Sequence, residues 1–131
     1  MTDTAKLGPC SPFFIVKDIP SSLDHYLGGL GFECRFQAPE EKPFFAIVGR
    51  ASAQIMLKAF GEDVGPLPNH RRHEWARWDA FVYVSDPDAL ARELTDRQVT
   101  FRRALGDTED GLRGFEVSDP DDYVCFFGRP R

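Results

Sequence analysis

No stretch of this 131-residue chain approaches the roughly 18 consecutive apolar residues of a membrane-spanning helix, so no membrane association is expected. The opening residues, MTDTAKLGPCSP, carry one lysine and no apolar core, so no secretory signal is expected there. Cysteine is scarce. Cys10, Cys34 and Cys125 are an odd set without paired spacing, which excludes a disulfide framework and points to free thiols in a reducing cytoplasm. Positive charge is also short: 16 Lys and Arg stand against 21 Asp and Glu, a net charge of −5. That disfavours nucleic acid as a partner, because a basic face must offset the phosphates. The arginines are dispersed except at Arg71-Arg72 and Arg102-Arg103, pairs that read as solvated surface. A Gly-rich phosphate loop is missing, and no Ser–His–Asp or Cys–His pairing can be built from the spacing.

What remains is a composition of 42% hydrophobic and 28% charged residues, ordinary for a soluble globular chain, at a length that suits one compact domain. One plan occurs twice within it. Trp78 to Phe101 reads as strand, turn, helix, strand. Asp79, Phe81 and Tyr83 alternate with Ala80, Val82 and Val84 at the period of a strand. Asp86 is placed to cap a helix whose first position is Pro87, where the missing N–H removes nothing. Leu90 and Leu94 share a helical face with Val99 just beyond, while Arg92, Glu93 and Asp96 lie off it. Pro12 to Phe36 repeats this plan, with Asp18 at the same strand-to-helix corner as Asp86.

Taken in order, residues 1 to 9 read as a frayed terminus. Ser11 to Lys17 is predicted as a strand with Ser11, Phe13 and Ile15 on one face and Pro12, Phe14 and Val16 on the other; both faces are apolar, so both are expected to be covered. A helix follows over Ile19 to Leu30, with Ser21 or Ser22 as cap, Leu23, Tyr26, Leu27 and Leu30 as its buried stripe, and Gly28-Gly29 and Gly31 at its end. Strands are predicted at Phe32–Phe36, Phe44–Val48 and Gln54–Phe60, with a hairpin turn over Ala38–Pro43. Gly61 to Trp75 has two Gly, two Pro and no apolar period, and is read as a linker. Beyond the 78–101 stretch come a turn-rich segment, GDTEDG, and two strands, LRGFEVSD and YVCFFG, joined by a tight turn at Asp119–Asp122. Each half is strand, helix and three strands. A half of roughly 55 residues is marginal alone, so a shared core is expected.

These segments, PFFIVKDIPSSLDHYLGGLGF, AQIMLKAF, WDAFVYVSDPDALARELTDRQVTF and FEVSDPDDYVCFF, resemble the vicinal oxygen chelate superfamily, which holds glyoxalase I, extradiol dioxygenases, fosfomycin-resistance enzymes and bleomycin-binding proteins. The resemblance implies an α+β fold of two βαβββ modules forming half-barrels, with module one at about 11–60, a linker at 61–76 and module two at about 77–128. It also implies a homodimer whose cleft is completed between subunits or by exchanged modules. In metal-using members four ligands come from the first and last strands of each module; those positions fall here on Ser11, Met56, Asp79 and Phe126. A divalent first-row metal takes His nitrogen or carboxylate oxygen. Asp79 alone offers either, so neither a metal nor any other cofactor is expected.

His70, His73 and Glu74 in NHRRHE are the other metal-like group, but they sit in a Pro-rich linker without a metalloprotease spacing and read as surface. His25 reads as a partly exposed helix histidine rather than a general base, and Cys125 as a small buried hydrophobe. Phe13, Phe81, Tyr83 and Phe126 are expected to point into the half-barrels, with Phe13 assigned to core, while Phe126 and Trp78 serve equally as core or as cleft wall. Clefts lined by aromatics with few polar groups bind small organic ligands. The site expected is therefore Phe13, Met56, Trp78, Phe81 and Phe126, with polar contacts from Ser11, Lys58 and Asp79 and with Trp75 flanking. The function expected is metal-free binding of an apolar or aromatic small molecule, in the manner of bleomycin-resistance proteins. The alternative is a glyoxalase-like enzyme with a metal on atypical ligands or acid–base chemistry at Asp79; a dimer without a ligand is the third reading.

Overall fold

The computed structural model describes residues 5–131; of the expected frayed terminus, residues 1–4 lie outside the described residues and 5–9 have no regular structure. The elements are β1 (Phe13–Ile15), α1 (Ile19–Leu23, running on as a π-helical turn over Asp24–Gly29), β2 (Glu33–Ala38), β3 (Phe45–Arg50), β4 (Ala53–Lys58), α2 (Asn69–Arg72), β5 (Ala80–Tyr83), α3 (Pro87–Asp96), β6 (Arg103–Asp107), β7 (Leu112–Ser118) and β8 (Val124–Pro130). They build two four-stranded mixed sheets, ordered β1-β4-β3-β2 and β5-β8-β7-β6. In each, the first strand pairs parallel with the last and the other pairs are antiparallel. This is the duplicated α+β plan that the sequence predicts.

Matching aspartates start both helices. Asp18 accepts from the Ser21 amide (2.9 Å) and Asp86 from the Ala89 amide (3.0 Å), each satisfying a donor of the first helical turn. The cap of α1 is thus Asp18 and neither Ser21 nor Ser22. Ser21 instead donates its hydroxyl to the cap carboxylate (2.7 Å), and Ser22 is buried in the helix. The first helix carries one residue more than its partner: Gly31, at φ +73°, comes thirteen positions after Asp18, and Gln98, at φ +67°, twelve after Asp86. The extra residue accompanies the π-helical turn. Two further expectations need correcting. The linker contains the short helix α2, and the second strand of the second half, expected to end at Phe101, begins at Arg103, so Gly106 and Asp107 belong to a strand and not to a turn.

One apolar cluster joins the helix-facing sides of both sheets. It includes Phe14, Val16, Tyr26, Leu30, Ile55 and Leu57 from the first half, and Leu94, Phe115, Val117, Cys125 and Phe127 from the second. The opposite faces are open. Phe13, expected in the core with both faces of its strand covered, is 52% exposed, because β1 has helices on only one side.

The register makes the repeat explicit. Phe13 pairs with Met56 as Phe81 pairs with Phe126, so Phe14 corresponds to Val82, Ile15 to Tyr83, and Ala53 to Tyr123. The halves meet at two seams related by this correspondence. At the first, the β7–β8 turn packs on β1 and α1: Tyr26 Oη donates to Asp119 Oδ2 (2.8 Å), and Asp119 Oδ1 accepts from the Asp121 and Tyr123 amides (2.8 and 3.0 Å). Burial still pushes the Asp119 carboxyl up to about 6 against these donors. At the second seam, Arg50 makes a two-pronged ion pair with Glu93 on α3 (2.7 and 2.9 Å).

Candidate ligand-binding site

The open face of the second sheet carries two adjacent cross-strand rows. One runs Phe81, Phe126, Glu116, Arg103; the other runs Tyr83, Gly128, Gly114, Gly106. The glycines leave a trough, and the Phe126 ring tips into it: a Cβ on Gly114 or Gly128 would stand only 2.8 or 2.5 Å from the Phe126 ring. Phe126 stacks on Phe81 (5.5 Å between centroids) and meets Trp78 at 5.9 Å, while Trp78 meets Phe81 at 5.6 Å. Phe126 is 0% exposed and Phe81 is at the surface. Three of the expected site residues are thereby brought into one aromatic wall.

Trp78 continues that wall into an open cavity of about 700 Å³, bounded by Trp75, Arg77, Trp78, Arg103, Glu109 and Asp110. Trp75, expected as a flank, is 82% exposed at its edge. Arg77 pairs with Asp110 across it (3.5 Å). Beside the wall lies Glu116, 1% exposed, whose Oε1 accepts from Arg102 (2.5 Å) while Oε2 has no partner. Sequence reasoning passed over Glu116, Arg77, Arg103 and Asp110. The one available signal was the strand period of LRGFEVS, which sets Glu116 opposite Phe115 and Val117 and therefore on the face of Phe126.

The first sheet presents a more apolar face. Its matching rows are Phe13, Met56, Ile47, Phe36 and Ile15, Lys58, Phe45, Ala38. The Lys58 ammonium lies over Phe44, Phe45 and Phe60, at 4.6, 5.8 and 5.5 Å from the ring centres. Phe13, Met56 and Lys58 are therefore neighbours on one face, apart from the Trp78 cluster.

The remaining expected polar residues are engaged elsewhere. Asp79 Oδ1 accepts from the Asn69 amide (2.7 Å) and Oδ2 from the Val124 amide (2.8 Å), so the carboxylate pins α2 to the start of β8. The Ser11 hydroxyl accepts from Gln54 (3.1 Å). These contacts test the four family ligand positions. Met56 and Phe126 bring no suitable donor atom, Asp79 has both oxygens committed to backbone, and Ser11 is a lone hydroxyl; the set does not fit a divalent cation. His70 and His73 also diverge. His70 faces Asp122 on the β7–β8 turn (3.1 Å), and His73 accepts from the Trp75 amide (3.1 Å). Among the described residues no three His, Cys, Asp or Glu side chains are grouped as a metal site. His25 packs edge-on against Tyr26, and burial lowers its pKa to about 4. The Cys125 thiol is buried and pushed up by desolvation; all three cysteines are free.

No helix of the described residues is long and apolar enough to cross a membrane. Three solved structures illustrate the likeness of the fold. The bleomycin-binding protein from bleomycin-producing Streptomyces verticillus, complexed with copper(II)-bleomycin, is 22% identical at TM-score 0.69, over 98% of this chain and 100% of that one. TnmS3, an antibiotic binding protein from Streptomyces sp. CB03234, is 19% identical at TM-score 0.70, over 99% and 100%. A superfamily member from Sphaerobacter thermophilus is 27% identical at TM-score 0.60, over 93% and 97%. No curated protein matches the chain significantly. The pattern of the Glyoxalase/Bleomycin resistance protein/Dioxygenase superfamily matches residues 6–125, nearly the whole length over which both sheets, both helix caps and the repeat are built, and the chain belongs to that superfamily.

Proposed function

We propose that this protein binds a small organic molecule with an aromatic or apolar body, without transforming it and without a metal, on the open face of the second sheet. The observation that carries this reading is the Trp78–Phe81–Phe126 cluster, whose Trp78 lines the 700 Å³ cavity while Phe81 and Phe126 back it. A flat ring gains both buried area and an offset or edge contact from such a wall. The Arg77–Asp110 pair supplies polarity at the cavity itself, so a ligand with a polar group that can pair with a guanidinium or a carboxylate is the best complement. By their descriptions the bleomycin-binding protein and TnmS3, which share this fold, bind bleomycin and an antibiotic, and that supports a small-molecule ligand here.

The test is a thermal-shift screen of aromatic compounds, followed by calorimetry on each hit with wild type and Trp78→Ala. Specific binding raises the melting temperature by mass action. Trp78→Ala is expected to weaken the hit by more than about tenfold, the loss of roughly 2 kcal/mol that a buried anchor ring contributes. Unchanged affinity in a folded variant places the ligand elsewhere.

The assembly belongs to the same reading. Phe13, Phe36, Phe44 and Phe60 are each about half exposed on or beside the open face of the first sheet, an apolar surface that a second copy of the chain covers in a symmetric dimer. Sedimentation velocity at micromolar concentration is expected to show a dimer; a monomer there rejects this part.

A further inference from the structure

The two seams between the halves are equivalent by the repeat, yet their contents differ. At the first, the Tyr123 ring lies on Phe14, 4.4 Å between centroids and 6° between planes, and its hydroxyl donates to the Ile15 carbonyl (2.7 Å). At the second, the residue matching Tyr123 is Ala53 and the residue matching Phe14 is Val82. A methyl and an isopropyl group stand where the first seam has two rings. The space shows as a cavity of about 550 Å³ under α3, walled by Leu30, Phe32, Ala53, Val82, Leu90 and Leu94 and rimmed by the Arg50–Glu93 ion pair.

The backbone acceptor of the first seam recurs at the second. The Val16 amide bonds to Lys58 and the Val84 amide to Gly128, each across to the neighbouring strand. Strand alternation then turns the preceding carbonyls, those of Ile15 and Tyr83, to the free edge of their strands. Tyr123 supplies the donor to Ile15; Ala53 has none for Tyr83. We infer that the cavity under α3 is a second binding site, for a small phenol whose ring takes the place of the missing Tyr123 counterpart and whose hydroxyl donates to the Tyr83 carbonyl. The site lies on the helix side of the sheets, so it stands or falls separately from the cleft on the open face.

The probe is p-cresol, the tyrosine side chain as a free molecule, titrated into the full-length protein and followed by amide chemical shifts. Saturable shifts are expected at Ala53, Val82 and Leu90, in a roughly millimolar range suited to so small a ligand, with Ile47 and Arg103 on the open faces unmoved. Toluene, which lacks the donor, is expected to bind about fivefold more weakly. Ala53→Tyr restores the ring from within the chain and is expected to abolish the shifts. Val82→Phe narrows the cavity from the strand side and is expected to weaken p-cresol by more than about tenfold. The wild-type shift map decides even where a variant does not fold. Shifts confined to the open faces, no saturation up to the solubility limit, equal affinity for toluene, or full p-cresol affinity in either folded variant overturns the assignment. Loss of a screening hit in Trp78→Ala alongside such a failure leaves the open-face cleft standing, and the converse pair of results leaves this site alone.

Discussion

Phe126→Ala is expected to lower the free energy of unfolding by about 3–5 kcal/mol, the range for deleting a buried aromatic ring. The ring is fully buried although it lies outside the helix-facing core. It fills the trough over Gly114 and Gly128, and on its other sides it meets Phe81 and Trp78. Its removal leaves a void that backbone cannot close, because the glycines bring no side chains to collapse into it. Phe126→Leu keeps most of the volume and is expected to stay within about 1.5 kcal/mol of wild type. Urea denaturation measures both. A Phe126→Ala change below about 1 kcal/mol shows that the ring is not a wedge between sheet and cleft, and the aromatic wall then has no fixed backing.

Asp79→Ala is the second large effect. Each carboxylate oxygen accepts one backbone amide, from Asn69 and from Val124. A hydrogen bond to a charged group is worth about 1.5–3 kcal/mol, so losing both, in a partly exposed place, is expected to remove about 3–4 kcal/mol. Asp79→Asn keeps one acceptor and turns the other into a donor facing an amide, so about half of that loss or more is expected. Protection of the Val124 amide from hydrogen exchange should fall with either variant. Stability unchanged in Asp79→Ala, together with weaker binding of cationic compounds alone, would return Asp79 to the role of ligand contact.

Much of the fold was legible because its signals are local. The alternation in PFFIVKD separates Phe14 and Val16 from Phe13, and the buried and exposed faces of β1 divide along that line. An aspartate at a strand's end with proline one or two residues on marks both helix starts, since its carboxylate and the amide it caps lie within three residues of each other. The error at Ser21 and Ser22 came from the same local window. Serine is a good cap, but Asp18, three residues before Ser21, already occupied the donor. The α2 turn was invisible because its anchor, Asp79, lies outside the linker it holds.

From its residues alone this chain determines the duplication, the order of strands and helices within each half, and the inward-facing periodicity. These follow from spacing and residue type, whose consequences are settled within a turn or a strand. Only the tertiary structure decides what each side chain does once distant segments meet. It spends Asp79 on the amides of Asn69 and Val124, buries Glu116 beside Phe126, opens Phe13 to the surface, and fills one seam with Tyr123 while leaving its twin to Ala53. The reason is physical: a carboxylate, a ring or a methyl group has the same local preferences in either setting, and its role is fixed by which donors, faces or voids the long-range packing places against it.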